Sequence, residues 1–450
     1  VRYPLSFRGE LSPFAYAMLA PGLFLLQYAA VATAFIHDGF KIPHDAGFWL
    51  LPLRSLTLLP GLNMTTAAVS FVISLVIAWG LALLSFRRAS WSGGGYFLAA
   101  LAIVPVVQIA AVVLLLILPR LSTDNVDEPD AGVDVRDMMQ GVLAGAAIIV
   151  LAVLISAVTF GAYGWGLFVM TPFLVGMTTG FLANRRRSMG FGQTSMLVIG
   201  AAGIGSVSLV LMALEGILCI LLAAPLGAVV AIAGGGLGRA AARVGRKRDQ
   251  PLMSLALLPA LFALEAAMPP AAPIATYETI DIAASPSAVW RALTDSSPIV
   301  AGPGIVGVSG LAYPVRGRLL GTGVGAERLG EFSTGVAREK VTEWQPERRL
   351  AFTVVEQPPA MEEMSPYRKV HAPHVRGYFD TAETRFELQP LANGGTRLTA
   401  RATHILKMDP VLYWEPVARW AIHLNVTRVL RDIEAKAVVN ENRDASLYGL

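Results

Sequence analysis

The sequence predicts two parts: a multi-span α-helical membrane bundle, then one α+β domain in which an antiparallel sheet meets a long C-terminal helix. Three observations predict it. Of 450 residues, 54% are apolar and only 15% are charged, against roughly a quarter charged in ordinary soluble proteins. The charge is unevenly spread: residues 1–270 hold 16 Lys/Arg and 12 Asp/Glu, which leaves 20 of each for residues 271–450. Near residue 276 the pattern changes from long apolar runs to short alternating ones.

The hydrocarbon core of a bilayer is crossed by about 20 apolar residues of helix. Eight stretches answer to that: 12–36, 66–86, 95–118, 138–160, 164–183, 195–214, 216–235 and 252–268. The last is short and carries Pro259 and Glu265. Residues 47–62 are apolar but short and contain Arg54, which suits an interfacial or re-entrant segment. Glycines such as Gly200, Gly203 and Gly205 let helices approach closely in lipid. Cys219, the single cysteine, lies within an apolar run, so no disulfide framework exists within the chain. The first apolar run has no small-residue cleavage site and further spans follow it, so no cleavable signal peptide is expected.

Net charge is +4. Its source is short Arg clusters beside apolar runs, which is the pattern of membrane topology and not of nucleic-acid binding. With eight spans, Arg2, Arg8, Arg87 and Arg88 fall on one side, and twelve Lys/Arg, from Lys41 to Arg248, on the other. The richer side is expected to be cytoplasmic. The protein then sits in the plasma (inner) membrane, with the C-terminal domain on the outer, periplasmic side. One conflict stands: three spans separate Arg87 and Arg88 from Arg185–Arg187, so both clusters cannot lie inside.

Residues 123–137 are acidic and polar. They lack the Gly and Glu positions of a calcium-binding EF-hand loop, and they read as a solvated loop. The bundle is assigned to 1–268, a stiff Pro/Ala-rich linker to 269–275, and the second domain to 276–440. There, 276–283 alternates as a strand. Ser285 and Pro286 then open a helix as N-cap and first helical residue. Strands are predicted over 316–323, 325–333, 336–344, 349–356, 382–389 and 396–406, the last two joined by a turn at Asn393-Gly394-Gly395. A helix over 411–437 closes the chain. Val417, Trp420, Ala421, Leu424, the less well aligned Val429 and Ile433 form its predicted apolar stripe, and Pro416 marks its start or a kink.

The run TIDIAASPSAVWRALTD (279–295), followed by a strand meander and a final amphipathic helix, resembles the START-like superfamily, also called SRPBCC or polyketide-cyclase-like. The resemblance covers about 276–437. Segments 324–335 and 365–378 are similar to a bacterial subset fused behind multi-span membrane regions. It implies a helix-grip fold with a cavity between sheet and long helix. Members bind lipids, sterols, quinones, hormones or polyketides, and some catalyse cyclisation or hydrolysis. Fold alone does not choose among these.

Candidate ligand contacts follow from parity and residue type. Tyr367, His371, His374 and Tyr378 lie in one loop, where they are candidates to cover a cavity mouth. His371 and His374 lack the third ligand a zinc site needs, so no metal is expected. His404 shares strand parity with Leu398, Ala400 and Ala402, which points it toward the helix. It is either a satisfied core histidine or a ligand contact. Leu329, Glu331 and Ser333 share one face. If that face lines the cavity, Glu331 is a buried carboxylate, with Arg316 or Arg328 to neutralise it; otherwise it is an exposed edge residue. Trp420 joins the candidates through the helix stripe. Glu215 falls at a hairpin tip between two spans, at headgroup level. No nucleophile–base spacing, P-loop or cofactor motif occurs, so no catalytic set and no cofactor is assigned. The leading expectation is membrane-tethered binding of an apolar small molecule or lipid, with the lipid bilayer as partner. A cyclase- or hydrolase-type enzyme and a transporter or sensor are the alternatives.

Overall fold

The structure, a computed structural model, describes all residues except 1–6, 8, 46–47, 50–51, 58, 60–62, 94, 104–107, 121–129, 245–256, 364–375 and 449–450. The chain divides into two compact units, Val1–Pro269 and Pro270–Leu450.

The first unit is helical. In chain order it holds α1 (Pro13–His37), α2 (Pro52–Thr57), α3 (Met64–Ser92), α4 (Tyr96–Leu101), α5 (Gln108–Ile117) and α6 (Val135–Val153). It continues through α7 (Thr171–Asn184), α8 (Phe191–Leu211), α9 (Ile217–Val244) and α10 (Leu257–Ala267). Two π-helical stretches, Leu154–Phe160 and Gly166–Met170, extend α6 and lead into α7. Two-residue strands β1 (Asp130–Ala131) and β2 (Arg187–Ser188) pair in parallel.

Among the described residues, six helices are long and apolar enough to cross a membrane, where the sequence suggested eight. The stretch 95–118 resolves into α4 and the ten-residue α5, with Pro105 between them in sequence. The stretch 252–268 yields the eleven-residue α10. Within the described residues, at 1.5 Å per residue, neither α5 nor α10 reaches about 30 Å. From the stretch 47–62, Phe48 and Leu56 pack back on α1 and join Val31, Ala34 and Phe35 in one buried cluster.

Helix α7 is the axis of this unit. Cβ atoms added at Gly176 and Gly180 would lie 1.8 Å from the Ala231 carbonyl oxygen and 2.4 Å from that of Gly235, so α7 meets α9 backbone to backbone. Gly200 and Gly203, singled out in the sequence, face open space instead. Polar ties fix the helix ends. Asp137, fully buried, accepts from Arg185 Nη2 at 2.7 Å and Nε at 3.1 Å. Glu215 accepts from the Tyr163 hydroxyl at 2.9 Å, and Glu265 from the Gly166 amide at 2.8 Å.

In the second unit the strands are β3 (Ala272–Ile282), β4 (Pro314–Leu320), β5 (Glu327–Phe332), β6 (Gly335–Gln345), β7 (Arg349–Glu356), β8 (Phe379–Pro390) and β9 (Thr396–Leu406). They form one antiparallel sheet in the order β3-β9-β8-β7-β6-β5-β4. The helices are α11 (Pro286–Thr294), α12 (Gly304–Ser309) and α13 (Val411–Tyr448). Strand β3 begins at Ala272, inside the segment read as linker. Ser285 caps α11 through Ala288 N, as its sequence position predicts.

Helix α13 starts before Pro416 and carries it internally. Its buried face is Val411, Trp414, Ile422, Leu430, Ile433 and Ala437. The predicted stripe is therefore rotated: Trp420 is 44% exposed. The helix reaches both edges of the sheet. On the β3 edge, Arg419 Nη1 donates to the Ala275 carbonyl at 2.8 Å, and His423 Nδ1 lies 2.6 Å from Glu278 Oε1. Toward β4, Asn425 Nδ2 donates to the Ala312 carbonyl at 2.9 Å, and Arg428 Nη1 to that of Pro314 at 2.5 Å. A sheet tied by both edges to one helix is curved around it, and the START-like fold fits this unit.

Candidate functional site

The helix-facing side of this sheet has two ends. At one, Ile282, Leu388, Leu398, Val341, Leu350, Phe352 and Phe386 close on Leu430, Ile433 and Ala437 of α13 as a dry core. At the other end the same face includes half-buried residues of mixed type: the aromatic Phe332 and Phe379, the aliphatic Val354, and the polar Thr381 and Thr384.

Between them lies an ion pair. Arg328 and Glu339 stand directly opposite on β5 and β6, and Arg328 Nη1 donates to Glu339 Oε2. Glu339 is 5% exposed and shares parity with buried Ala337 and Val341, so it points inward. Burial pushes its carboxyl above the usual carboxylate range, and Arg328 opposes that shift. The guanidinium carbon lies 4.3 Å from the Phe352 ring centroid. Two paired glycines make the room. A Cβ at Gly317 would lie 2.3 Å from Arg328 Nη2, and one at Gly330 would lie 3.0 Å from Glu339 Oε1.

His404 is buried toward the helix, as its parity predicts. Its Nδ1 lies 3.0 Å from the Thr381 hydroxyl and its Nε2 3.3 Å from that of Thr276. Its ring stacks on Phe379 at 5.2 Å. Burial, with Arg419 adding repulsion, lowers its pKa to about 4. A neutral imidazole uses one nitrogen as donor and the other as acceptor, and two hydroxyls satisfy both. The geometry is that of a satisfied polar anchor.

Glu331 lies on the opposite face of the sheet. Its β6 neighbour Val336 is 47% exposed. Arg316 Nε donates to Glu331 Oε2 at 2.5 Å and Arg318 Nε lies 2.8 Å from Oε1, which holds the carboxyl below its ordinary range. Arg316 is thus its neutraliser, while Arg328 serves Glu339. Ser333 is exposed, and its hydroxyl accepts from Tyr313 N at 3.2 Å, closing the end of the β4–β5 pair. Trp420 points out. Tyr378 is half-buried, which raises its phenol pKa. Tyr367, His371 and His374 lie outside the described residues. Glu331 and His404 do not converge: they sit on opposite faces, on strands four positions apart, about 19 Å at the usual strand spacing.

The residue the sequence reading passed over is Glu339. A signal was present: an acid in phase with Ala337 and Val341 inside an otherwise apolar inner face.

No protein-family profile matches the chain, and no curated protein matches it. Among solved structures, it is similar to a START superfamily protein from Mycobacterium smegmatis: 12% identity over 36% of this chain and 96% of that one, TM-score 0.25. It is similar to truncated norcoclaurine synthase from Thalictrum flavum: 13% identity over 36% and 92%, TM-score 0.23. It is also similar to a protein from Thermus thermophilus: 17% identity over 37% and 98%, TM-score 0.24.

Proposed function

We propose that this is a multi-pass membrane protein whose C-terminal helix-grip domain binds an apolar small molecule or lipid bearing a polar group. The observation that carries the reading is the Arg328–Glu339 pair on the inner face, where the dry core gives way to half-buried side chains. Removing both charges from water costs more than their attraction returns in most proteins, so packing alone does not favour the pair. Small-molecule sites combine apolar walls with a few placed polar groups, and this end of the sheet supplies both. The guanidinium offers donors and the carboxyl an acceptor to a hydroxyl or carbonyl on the ligand. Native mass spectrometry of fragment 270–450 tests this. We expect a co-purifying apolar molecule whose retention falls in Arg328→Met. A fragment that is ligand-free and takes up no fluorescent fatty acid or sterol overturns it.

The six long helices, of 19–27 residues, support insertion in the bilayer. Six spans also revise the expected orientation. Arg2, Arg8, Arg120, Arg185–Arg187, Arg246, Lys247 and Arg248 then share one side, against Lys41 and Arg54 on the other. The conflict between the Arg87–Arg88 and Arg185–Arg187 clusters disappears, because two spans separate them. The positive-inside rule then puts the C-terminal domain in the cytoplasm. Paired reporter fusions at Leu450 test this: alkaline phosphatase activity there, in place of fluorescent-protein signal, overturns it.

A further inference from the structure

We propose that the molecule held by the C-terminal domain carries a hydroxyl group, and that this hydroxyl donates to Oδ1 of Asn425. The inference rests on the binding function proposed above and names the chemistry of its ligand. Asn425 lies on α13. Its neighbours one turn to either side, Ile422 and Val429, turn toward the sheet: Ile422 is buried, and Val429 packs against the closed core. One hydrogen bond fixes its amide: Nδ2 donates to the Ala312 carbonyl at 2.9 Å. A carbonyl only accepts, so the nitrogen must face Ala312 and the oxygen is the atom left over. That oxygen is buried and has no hydrogen-bond partner among the described residues.

Donors around it are already engaged. Arg428, one turn further along α13, gives Nε and Nη2 to the Ala301 carbonyl, at 2.9 and 2.7 Å, and Nη1 to that of Pro314 at 2.5 Å. The Ala312 amide donates to the Ala360 carbonyl at 2.9 Å, and the Tyr313 amide to the Ser333 hydroxyl at 3.2 Å. A buried acceptor without a donor costs stability, and folded proteins rarely leave one. A ligand hydroxyl supplies the donor. A ketone, an ester or an ionised carboxylate brings only acceptors and sets one lone pair against another. Position places this acceptor at the open end of the sheet. Pro314 pairs with Phe332, and Ser333 N donates to the Tyr313 carbonyl at 2.9 Å, so the Asn425 amide stands by the Phe332 end of β5. Arg328 lies four residues along that strand, about 13 Å away. An elongated apolar molecule with its hydroxyl at Asn425 reaches the ion pair with its other end.

The test uses the full chain in nanodiscs, equilibrated with equimolar 2-dodecanol and 2-dodecanone. The two share a skeleton and differ in whether the oxygen can donate. Bound alcohol and ketone are extracted and quantified by gas chromatography, and the amounts held by empty nanodiscs are subtracted. We expect the alcohol to exceed the ketone about tenfold, the worth of about one hydrogen bond. Asn425→Leu removes the acceptor and should bring the ratio to about one. The wild-type ratio needs no variant, so it decides the matter even where Asn425→Leu fails to fold. Equal retention of the two compounds by the wild type overturns this inference alone and makes water the donor to Oδ1. A tenfold ratio that survives Asn425→Leu also overturns it, because the hydroxyl is then read elsewhere. If neither compound is held above the empty-disc level, the binding function and this inference fall together.

Discussion

The two ends of the C-terminal sheet follow different rules on the same inner face. At the closed end, Leu398 and Val341 are 0–1% exposed within an apolar cluster, and Phe352, 3% exposed in the same cluster, borders the open end under Arg328. At the open end, the inner positions carry Arg328, Glu339, Thr384 and His404, and Phe332, Val354, Phe379 and Thr381 on the same face are half-buried. The closed end contributes stability through burial. The open end holds charged and polar groups that a purely structural core would replace. The difference separates what holds the domain together from what gives it something to recognise.

Four changes would break or sharpen that division, in falling order of effect, each read by urea unfolding of fragment 270–450. Phe352→Ala removes a ring packed 6.3 Å from Phe386 and lying under Arg328. It should cost about 4 kcal/mol through the cavity it leaves. A loss below about 1 kcal/mol would mean that the closed end is not the main source of stability.

Arg328→Met strands the buried Glu339 carboxylate and should cost about 3 kcal/mol. The double variant Arg328→Met/Glu339→Leu should recover most of that loss while abolishing ligand retention. A double variant no more stable than the single would give the pair a structural role.

His404 supplies a pH dependence. Its folded pKa of about 4 lies below the ordinary 6.5. The unfolded chain therefore binds the proton first as pH falls, and stability drops through the window from 6.5 toward 4. Between pH 7.5 and pH 5 the loss should be about 2 kcal/mol. His404→Gln should flatten that slope, and an unchanged slope would assign it to other groups. Trp420→Ala, on the exposed face of α13, should shift stability by about 0.5 kcal/mol or less and leave ligand retention unchanged. A larger effect on retention would extend the site to the outer face of the helix.

Much of this layout was legible in the residues. Alternation fixed most strands to within a few positions, and Asn393-Gly394-Gly395 marked the β8–β9 turn. His404 showed its face by parity. Glu331 did not, because parity says which residues share a face and not which face meets the helix. That depends on the β4–β5 pairing, where Arg316 and Arg318 gather Glu331 on the outside and Gly317 and Gly330 open the inside. The α13 stripe was misplaced by a fraction of a turn although the helix start at 411 was predicted, because the face that meets the sheet is set by its packing partners and not by the apolar positions alone.

By itself the sequence determined the division into an apolar helical part and a charged α+β part, since composition and period act locally along the chain. Tertiary structure alone decided which long runs are single helices. It also decided which acid lies buried with an arginine and which glycines let helices touch. Each of these depends on partners far away in sequence: Glu339 on Arg328, Gly176 on Ala231, and Phe352 on Phe386. The two parts the sequence separated therefore stand, the first with six long apolar helices among its described residues where eight were expected, and the second with an inner face that has a closed end and an open one.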